Sequence, residues 1–269
     1  MSRTAAEKTE QDNEMLFARL DDLCGRAEGG IIGHTCFLSP REQHFAAKHL
    51  KESGFPGSRV FFYGGFGNAE RKRLFVLPDY IPDGAVYEDI CMFGGDCIGA
   101  VRIDGSSYRT LCHRDFLGSV LGLGLERGVT GDIVTDADGF GAVVVCDRTV
   151  IPFIVSELKK VATDTVKVSE YTIPPGFEAE HRFIRISDTV ASARIDCIVA
   201  ALCNLSREKA RREIESGNTE IEFETETRPD RLISEPCTLS VRGYGRFRVN
   251  SVSDVTRKGR LRLDADKFI

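Results

Sequence analysis

The stretch 191–249 leaves this chain little choice of local fold. At helical pitch Ala191, Ile195, Ile198, Val199 and Leu202 share an arc of about 100°, which predicts one short helix with a single buried stripe. Asn204 and Leu205 break the pattern, and Ser206 is placed to cap a second helix by accepting an orphan backbone N–H. Ala210 and Ile214 supply the buried side of that helix. Gly217 is expected to end it, because glycine enters the left-handed conformation without a Cβ clash. Arg207 and Arg211, one turn apart, flank the apolar stripe, and Arg212 lies further round. A helical pair with arginines along one flank suits phosphate contact. Strands and a basic hairpin around Arg242, Arg246 and Arg248 follow, and the alternation of those three predicts a row on one strand face beside the second helix.

Charge sharpens this. The 269-residue chain carries a net charge of −5, which excludes a protein that coats nucleic acid over its whole surface. Between Arg242 and Leu263, however, seven basic residues (Arg242, Arg246, Arg248, Arg257, Lys258, Arg260, Arg262) face one acid, Asp254. A local basic patch on an acidic protein points to a specific nucleic-acid site. The segment 220–226 reads instead as a strand with four glutamates alternating on its solvent face, turned away from any phosphate.

The rest of the chain divides by its breakers. Residues 1–11 are expected to fray, and Leu16, Leu20 and Leu23 recur at helical spacing up to Gly29-Gly30. Ser39-Pro40-Arg41-Glu42 is a capping box with proline at the first helical position, and Gly54 stops the helix. Arg41, His44, Lys48 and Lys51 form a ridge opposite Phe45, Ala46, His49 and Leu50. That ridge is either a solvated face or a second phosphate-contacting surface. A strand at 61–63 leads to Gly64-Gly65-Phe66-Gly67, and Arg71, Lys72 and Arg73 read as the basic tip of that glycine turn. From 97 to 171 the order is strand, helix, strand, strand, helix, strand. The strands are 98–103, 131–136, 142–146 and 165–171, and the helices lie near 113–125 and 150–161. This is the ferredoxin-like order, with helices on one face and the other sheet face open for binding. Pro174-Pro175-Gly176 is expected to be a hinge, with residues from about Ser187 folding independently.

Nine cysteines with no C-x-x-C predict mostly buried thiols in a reducing compartment, without a zinc site. The acidic, polar first thirty residues are unlike a targeting leader, and no stretch approaches a membrane span.

Two resemblances follow. The run Arg194-Ile195-Asp196, Leu205-Ser206-Arg207, Lys209-Ala210, Ile214, Ser216-Gly217 and 240–247 resembles the S4-type RNA-binding domain. That likeness implies that Arg194, Arg207, Lys209, Arg211 and Arg246 face RNA. Beyond it, Ala69-Glu70-Arg71-Lys72-Arg73, Pro78-Asp79-Tyr80, His113-Arg114-Asp115-Phe116-Leu117-Gly118, Gly122-Leu123-Gly124 and Gly131-Asp132-Ile133 resemble the YlmH family of bacterial RNA-binding proteins. The family implies a central RNA-binding domain, binding to the large ribosomal subunit, and rescue of subunits blocked by peptidyl-tRNA in ribosome-associated quality control.

Enzymatic leads weaken on inspection. His113-Arg114-Asp115 has Val120 where a kinase catalytic loop needs Asn. Arg194-Ile195-Asp196 resembles the catalytic aspartate motif of pseudouridine synthases, but Cys197-Ile198-Val199-Ala200 departs from it, and Asp196 is expected to cap or pair within its helix. Arg242-Gly243-Tyr244-Gly245 begins like an RNP1 motif and then lacks its stacking aromatics. Gly122-x-Gly124 is not fed by a strand as a dinucleotide fingerprint requires, and the five histidines are scattered.

The expected architecture is therefore α+β: an N-terminal helical and mixed region (1–82), a central ferredoxin-like α/β sandwich (83–173) and a C-terminal S4-type (αL) RNA-binding domain (187–269). The expected function is non-enzymatic binding of large-subunit ribosomal RNA and/or peptidyl-tRNA by a cytoplasmic monomer, with no cofactor, metal or membrane partner. The alternative is an RNA-modifying, pseudouridine-synthase-like enzyme anchored by the S4-type domain. Candidate RNA contacts are Arg194, Arg207, Lys209, Arg211, Arg212, Arg242, Arg246, Arg248, Arg41, Lys48, Lys51, Arg71, Lys72 and Arg73.

Overall fold

The computed structural model describes residues 5–180, 183–255 and 259–268. The chain divides into two compact units, Met1–Ala179 and Glu180–Ile269, and its fold class is mixed α+β.

The first unit opens with α1 (Ala5–Glu28), which buries Leu16, Leu20, Leu23 and Ala27. The fraying expected for residues 1–11 is corrected: the helix is formed from Ala5, and residues 1–4 lie outside the described residues. After β1 (Gly33–His34) comes α2 (Pro40–Glu52), whose capping box is present. Ser39 N–H donates to Glu42 Oε2 at 2.6 Å, and Glu42 N–H donates to Ser39 Oγ at 3.3 Å. Strands β2 (Val60–Tyr63) and β3 (Arg73–Val76) complete an antiparallel sheet of order β1-β3-β2. Leu38, Ala46, Leu50, Leu74 and Val76 meet the α1 leucines in one apolar cluster.

A short helix, α3 (Tyr87–Ile90), precedes the βαββαβ segment: β4 (Ile98–Asp104), α4 (His113–Leu121), β5 (Thr130–Thr135), β6 (Gly141–Asp147) and α5 (Ile151–Glu157). A small hairpin, β7 (Lys160–Val161) and β8 (Asp164–Thr165), then leads into β9 (Lys167–Tyr171). The order β5-β6-β4-β9, antiparallel throughout, is the ferredoxin-like arrangement. Phe116 and Val120 of α4 and Ile151 and Ile154 of α5 pack on Val101, Ile103, Val144 and Cys146 of the sheet. Both helices are shorter than their periodicity suggested. Gly122 and Gly124 (φ +87°) close α4, and the β7–β8 hairpin takes the residues beyond Leu158.

The expected open sheet face is corrected. Ile98 and Val145, on the face away from α4 and α5, join a cluster with Phe37, Phe66, Phe75, Leu77 and Ile90 from upstream. This shared core also crosses the boundary expected at residue 82. Nor is the proline pair a loose hinge. Ile173 and Phe177 enter the same cluster, Phe177 lies edge-to-face on Phe66 with ring centres 5.3 Å apart, and Asn68 bonds the Ala179 backbone.

The second unit is a six-stranded antiparallel sheet under two helices. It begins before Ser187, with β10 (Phe183–Val190), which pairs along its length with β15 (Leu261–Phe268). Helices α6 (Ile195–Leu202) and α7 (Arg207–Glu215) follow, then β11 (Thr219–Ile221), β12 (Glu224–Thr225), β13 (Cys237–Val241) and β14 (Gly245–Val255). The sheet order is β10-β15-β14-β13-β11-β12. Ile195, Ile198, Val199, Leu202, Ala210 and Ile214 cover Leu239, Phe247, Val249, Leu263 and Ala265.

The acidic strand expected at 220–226 is also corrected, because the chain turns back on itself there. Glu222 (φ +48°) and Phe223 (φ +65°) form a two-residue β11–β12 turn with the positive φ pair that a tight hairpin requires. Of the nine cysteines only Cys146, Cys197 and Cys237 are buried, fewer than expected, and Cys36 and Cys112 are exposed.

Candidate RNA interface

The α6–α7 pair is built from local rules that the sequence states openly. Asn204, at φ +51°, makes the break between the helices. Ser206 Oγ accepts the Lys209 N–H at 3.3 Å. At the other end the Gly217 N–H reaches Ile214 O and the Asn218 N–H reaches Glu213 O, at 2.9 and 3.0 Å, with Gly217 at φ +72°. This is the Schellman closure.

Asp196 sits where the helices meet and is only 3 % exposed. Arg194 donates to both its carboxylate oxygens, at 3.2 and 3.1 Å, and Arg207 Nε donates to Oδ2 at 3.0 Å. Burial pushes Asp196 upward, but these hydrogen bonds outweigh it and hold the carboxyl below its ordinary range. One buried acid thus fixes two arginines whose side chains remain substantially accessible. Arg211, one turn on, pairs with Glu215 at 2.7 Å and is near enough to feel the charges of Arg194 and Asp196. Arg194, Arg207 and Arg211 therefore form one cluster. Arg212 pairs along the helix with Glu208. Lys209 is exposed and leaves α7 on the other side of Ala210. Exposed i,i+4 pairs contribute little and yield readily to a phosphate.

The expected row of Arg242, Arg246 and Arg248 beside this helix is corrected. Arg242 lies in the turn between β13 and β14. Arg246 and Arg248 are on β14, but they alternate with Phe247 and Val249, which are buried under the helices. With a side-chain period of two they stand on the opposite face of the sheet. There the Arg246 guanidinium lies 4.0 Å from the Phe268 ring centre, and Arg248 is register partner to Asp266. Arg257 and Lys258 fall outside the described residues.

In the first unit the basic tip is corrected as well. Arg71 turns inward to the carbonyls of Phe37 and Thr130, at 2.6 and 3.1 Å. Arg73 is 2 % exposed, lies over the Phe37 ring at 4.7 Å and is ion-paired with Asp147. Both are structural, and Lys72 is half-buried in a bridge to Leu38. Asp132 supports the same turn by accepting the Glu70 and Arg71 backbone N–H groups at 2.6 and 3.0 Å. On α2 Lys48 and Lys51 of the ridge are exposed, while Arg41 is half-buried, its guanidinium over the Phe45 ring at 5.2 Å.

Sequence reasoning missed a second buried acid. Glu226, 4 % exposed, accepts from the Arg228 Nε at 3.2 Å and from Arg231, and the Thr227 and Arg228 N–H groups also reach it. Only the alternation of Arg228 and Arg231 around Asp230 hinted at it.

Comparison with known proteins fits this picture. Residues 100–174 match the family model described as "Putative RNA-binding domain in YlmH", so the class is that of an RNA-binding protein. More particularly, the chain is similar to YlmH-type proteins. It is 28 % identical over 240 residues to the ribosome-associated protein quality control protein P2 of Bacillus subtilis (strain 168), over 87 % of this chain and 86 % of that protein. A solved structure, the cell division protein YlmH from Streptococcus pneumoniae, aligns at 18 % identity with a TM-score of 0.45, over 64 % of this chain and 94 % of that one.

Proposed function

We propose that this protein binds the large ribosomal subunit, through ribosomal RNA and/or peptidyl-tRNA, and acts in the cytoplasm in the rescue of blocked subunits during ribosome-associated quality control. Its second unit serves as an S4-type RNA-binding module, and its action is non-enzymatic. The observation that carries the reading is the arginine cluster on Asp196, which presents fixed, accessible guanidinium groups on a helical surface. The RNA-binding domain match and the name of the Bacillus relative support the same assignment. Asp196 is also the residue that a pseudouridine-synthase reading would need as its catalytic aspartate. Its burial and its two arginine partners speak for a positioning role.

Co-sedimentation with purified large and small ribosomal subunits tests this. The chain is expected to pellet with large subunits and to release them steeply as salt rises. Replacing Arg207 and Arg211 by Ala should weaken that association and make the log–log salt slope shallower by about 0.7 to 0.9 per lost phosphate contact. Equal affinity for both subunits, or no change in the double variant, would overturn the proposal.

A further inference from the structure

None of the fourteen candidate contacts lies within residues 100–174, the segment that matches an RNA-binding domain. Its sheet offers no open stacking platform, because Ile98, Ala100, Val143 and Val145 on the face away from the helices are buried. The loop joining β4 to α4 is different. Tyr108 is 97 % exposed, more than any other large apolar side chain among the described residues.

This loop is held firmly. Asp164, on the neighbouring hairpin, accepts the Ser106 N–H at 2.9 Å and the Ser106 hydroxyl. Gly105 N–H bonds Phe140 O, and Leu111 N–H bonds Gly139 O, both at 2.8 Å. Ser107 adopts φ +64°, a left-handed conformation uncommon for a residue with a Cβ. The backbone is thus fixed on both sides of Tyr108 while its ring touches solvent almost all round. Arg109 follows directly, steadied by the Thr163 hydroxyl at 2.6 Å, and Arg114 is exposed in the first turn of α4. The acids at this corner are held in place, Asp164 by Ser106, Asp115 by the Cys112 N–H at 2.9 Å and Asp138 by the Phe140 N–H at 2.9 Å. Asp115 and Asp164 keep their charge near Arg109, so the aromatic ring is the main contact and the cations the lesser one.

An aromatic face on an anchored loop, with Arg109 next in the chain and Arg114 close enough to share the Asp115 charge with it, matches what an unpaired nucleotide requires. The ring stacks on the base, the cations meet the flanking phosphates, and little conformational entropy is lost on binding. We infer that Tyr108, with Arg109 and Arg114, forms a base-stacking site for single-stranded RNA in the central domain, separate from the Asp196 cluster. The inference rests on the RNA-binding reading above and adds a second contact with a different chemistry.

The test uses the full chain with purified large ribosomal subunits and with a short, mixed-sequence, fluorescein-labelled single-stranded oligoribonucleotide. Tyr108→Ala is expected to weaken binding by about five- to 150-fold, as loss of one stacked base does, with an unchanged salt slope. Tyr108→Phe and Tyr108→Trp should retain affinity. Arg114→Ala should instead reduce the salt slope by about 0.7. Photocrosslinking of the bound oligonucleotide should place an adduct on Tyr108. If Tyr108→Ala binds both probes like the parent protein while Arg207→Ala with Arg211→Ala loses the subunits, the stacking site is refuted and the RNA-binding reading stands. If the parent protein binds neither probe, both fail. Loss on Tyr108→Ala of a co-purifying protein, with RNA affinity unchanged, would make the loop a protein-docking tip and overturn the inference.

Discussion

Replacing Asp196 by Asn separates the structural from the electrostatic part of the arginine cluster. The amide keeps the volume, loses the charge, and turns one acceptor oxygen into a donor facing guanidinium groups that only donate. Asp196 receives three hydrogen bonds, two from Arg194 and one from Arg207. A hydrogen bond to a charged group contributes about 1.5–3 kcal/mol net. Both arginines reach water and recover part of the loss, so a total near 2–3 kcal/mol is expected rather than the full sum. For a unit of this size each kcal/mol moves the melting temperature by about 4–8 °C, which predicts a fall of about 8–24 °C. Differential scanning calorimetry on the full chain should show the later part of the chain melting earlier and the first unit unchanged. The acid limb gives an independent check. The folded pKa of Asp196 is depressed below its ordinary 3.8, so its stabilisation is complete above that value and is lost as pH falls through the lower folded pKa. The Asn variant should lack that acid-dependent loss. Affinity for large subunits should drop as well, since the arginines lose their common anchor. Unchanged melting together with an unchanged acid limb would refute the claim that Asp196 organises this surface.

Three further outcomes follow from the same contacts. Replacing Arg246 and Arg248 by Ala should disturb subunit binding less than replacing Arg207 and Arg211, because the two pairs lie on opposite faces of the sheet; matched co-sedimentation decides it. Glu226, which burial pushes up but the hydrogen bonds from Arg228 and Arg231 hold down at about 2, should contribute stability that is present above 4.5 and lost as pH falls toward 2. Glu226→Gln should remove that acid-dependent step in a denaturation series. Arg73→Met should destabilise the first unit by about 3–5 kcal/mol, the cost of leaving Asp147 without its buried partner, and denaturant titration should register it there alone.

Much of the backbone could be read from the chain, because local chemistry dictates it. Ser39 with Glu42, Ser206, and Gly217 each mark a helix end by the groups they satisfy, and each does so in the structure. The ferredoxin-like order was equally legible from alternating apolar patterns. What escaped was which polar groups turn inward. Nothing local distinguishes Arg71 and Arg73 from a solvated basic tip, since their partners lie tens of residues away in Phe37, Thr130 and Asp147. The Glu222-Phe223 turn lacks the glycine or asparagine that usually announces one. Two misreadings had available signals. The unbroken apolar run 142–146 in β6 is the pattern of a strand buried on both faces, which excludes an open sheet surface. Phe247 and Val249 between Arg246 and Arg248 already assign the arginines to the face away from the helices.

That face explains why a count of basic residues overstates the C-terminal patch. On the outer side of the sheet the cations are interleaved with acids contributed by neighbouring strands. Asp266 is register partner to both Arg248 and Arg185, and Arg185 also donates to Asp264 at 3.0 and 3.2 Å. Opposite charges across adjacent strands compensate one another, so the local excess in the sequence does not become an equal field on this surface. On the helical side the arrangement differs. Asp196 is withdrawn from the surface and holds two of its arginine partners there, so Arg194, Arg207 and Arg211 have one buried acid and two exposed ones, Glu215 and Asp230, about them. On the helices the exposed partners of Arg211 and Arg212 are same-helix i,i+4 glutamates, whereas on the sheet the partners are acids of the neighbouring strand. The direction of the field in the second unit therefore follows from where its acids are buried, more than from how many arginines the segment contains.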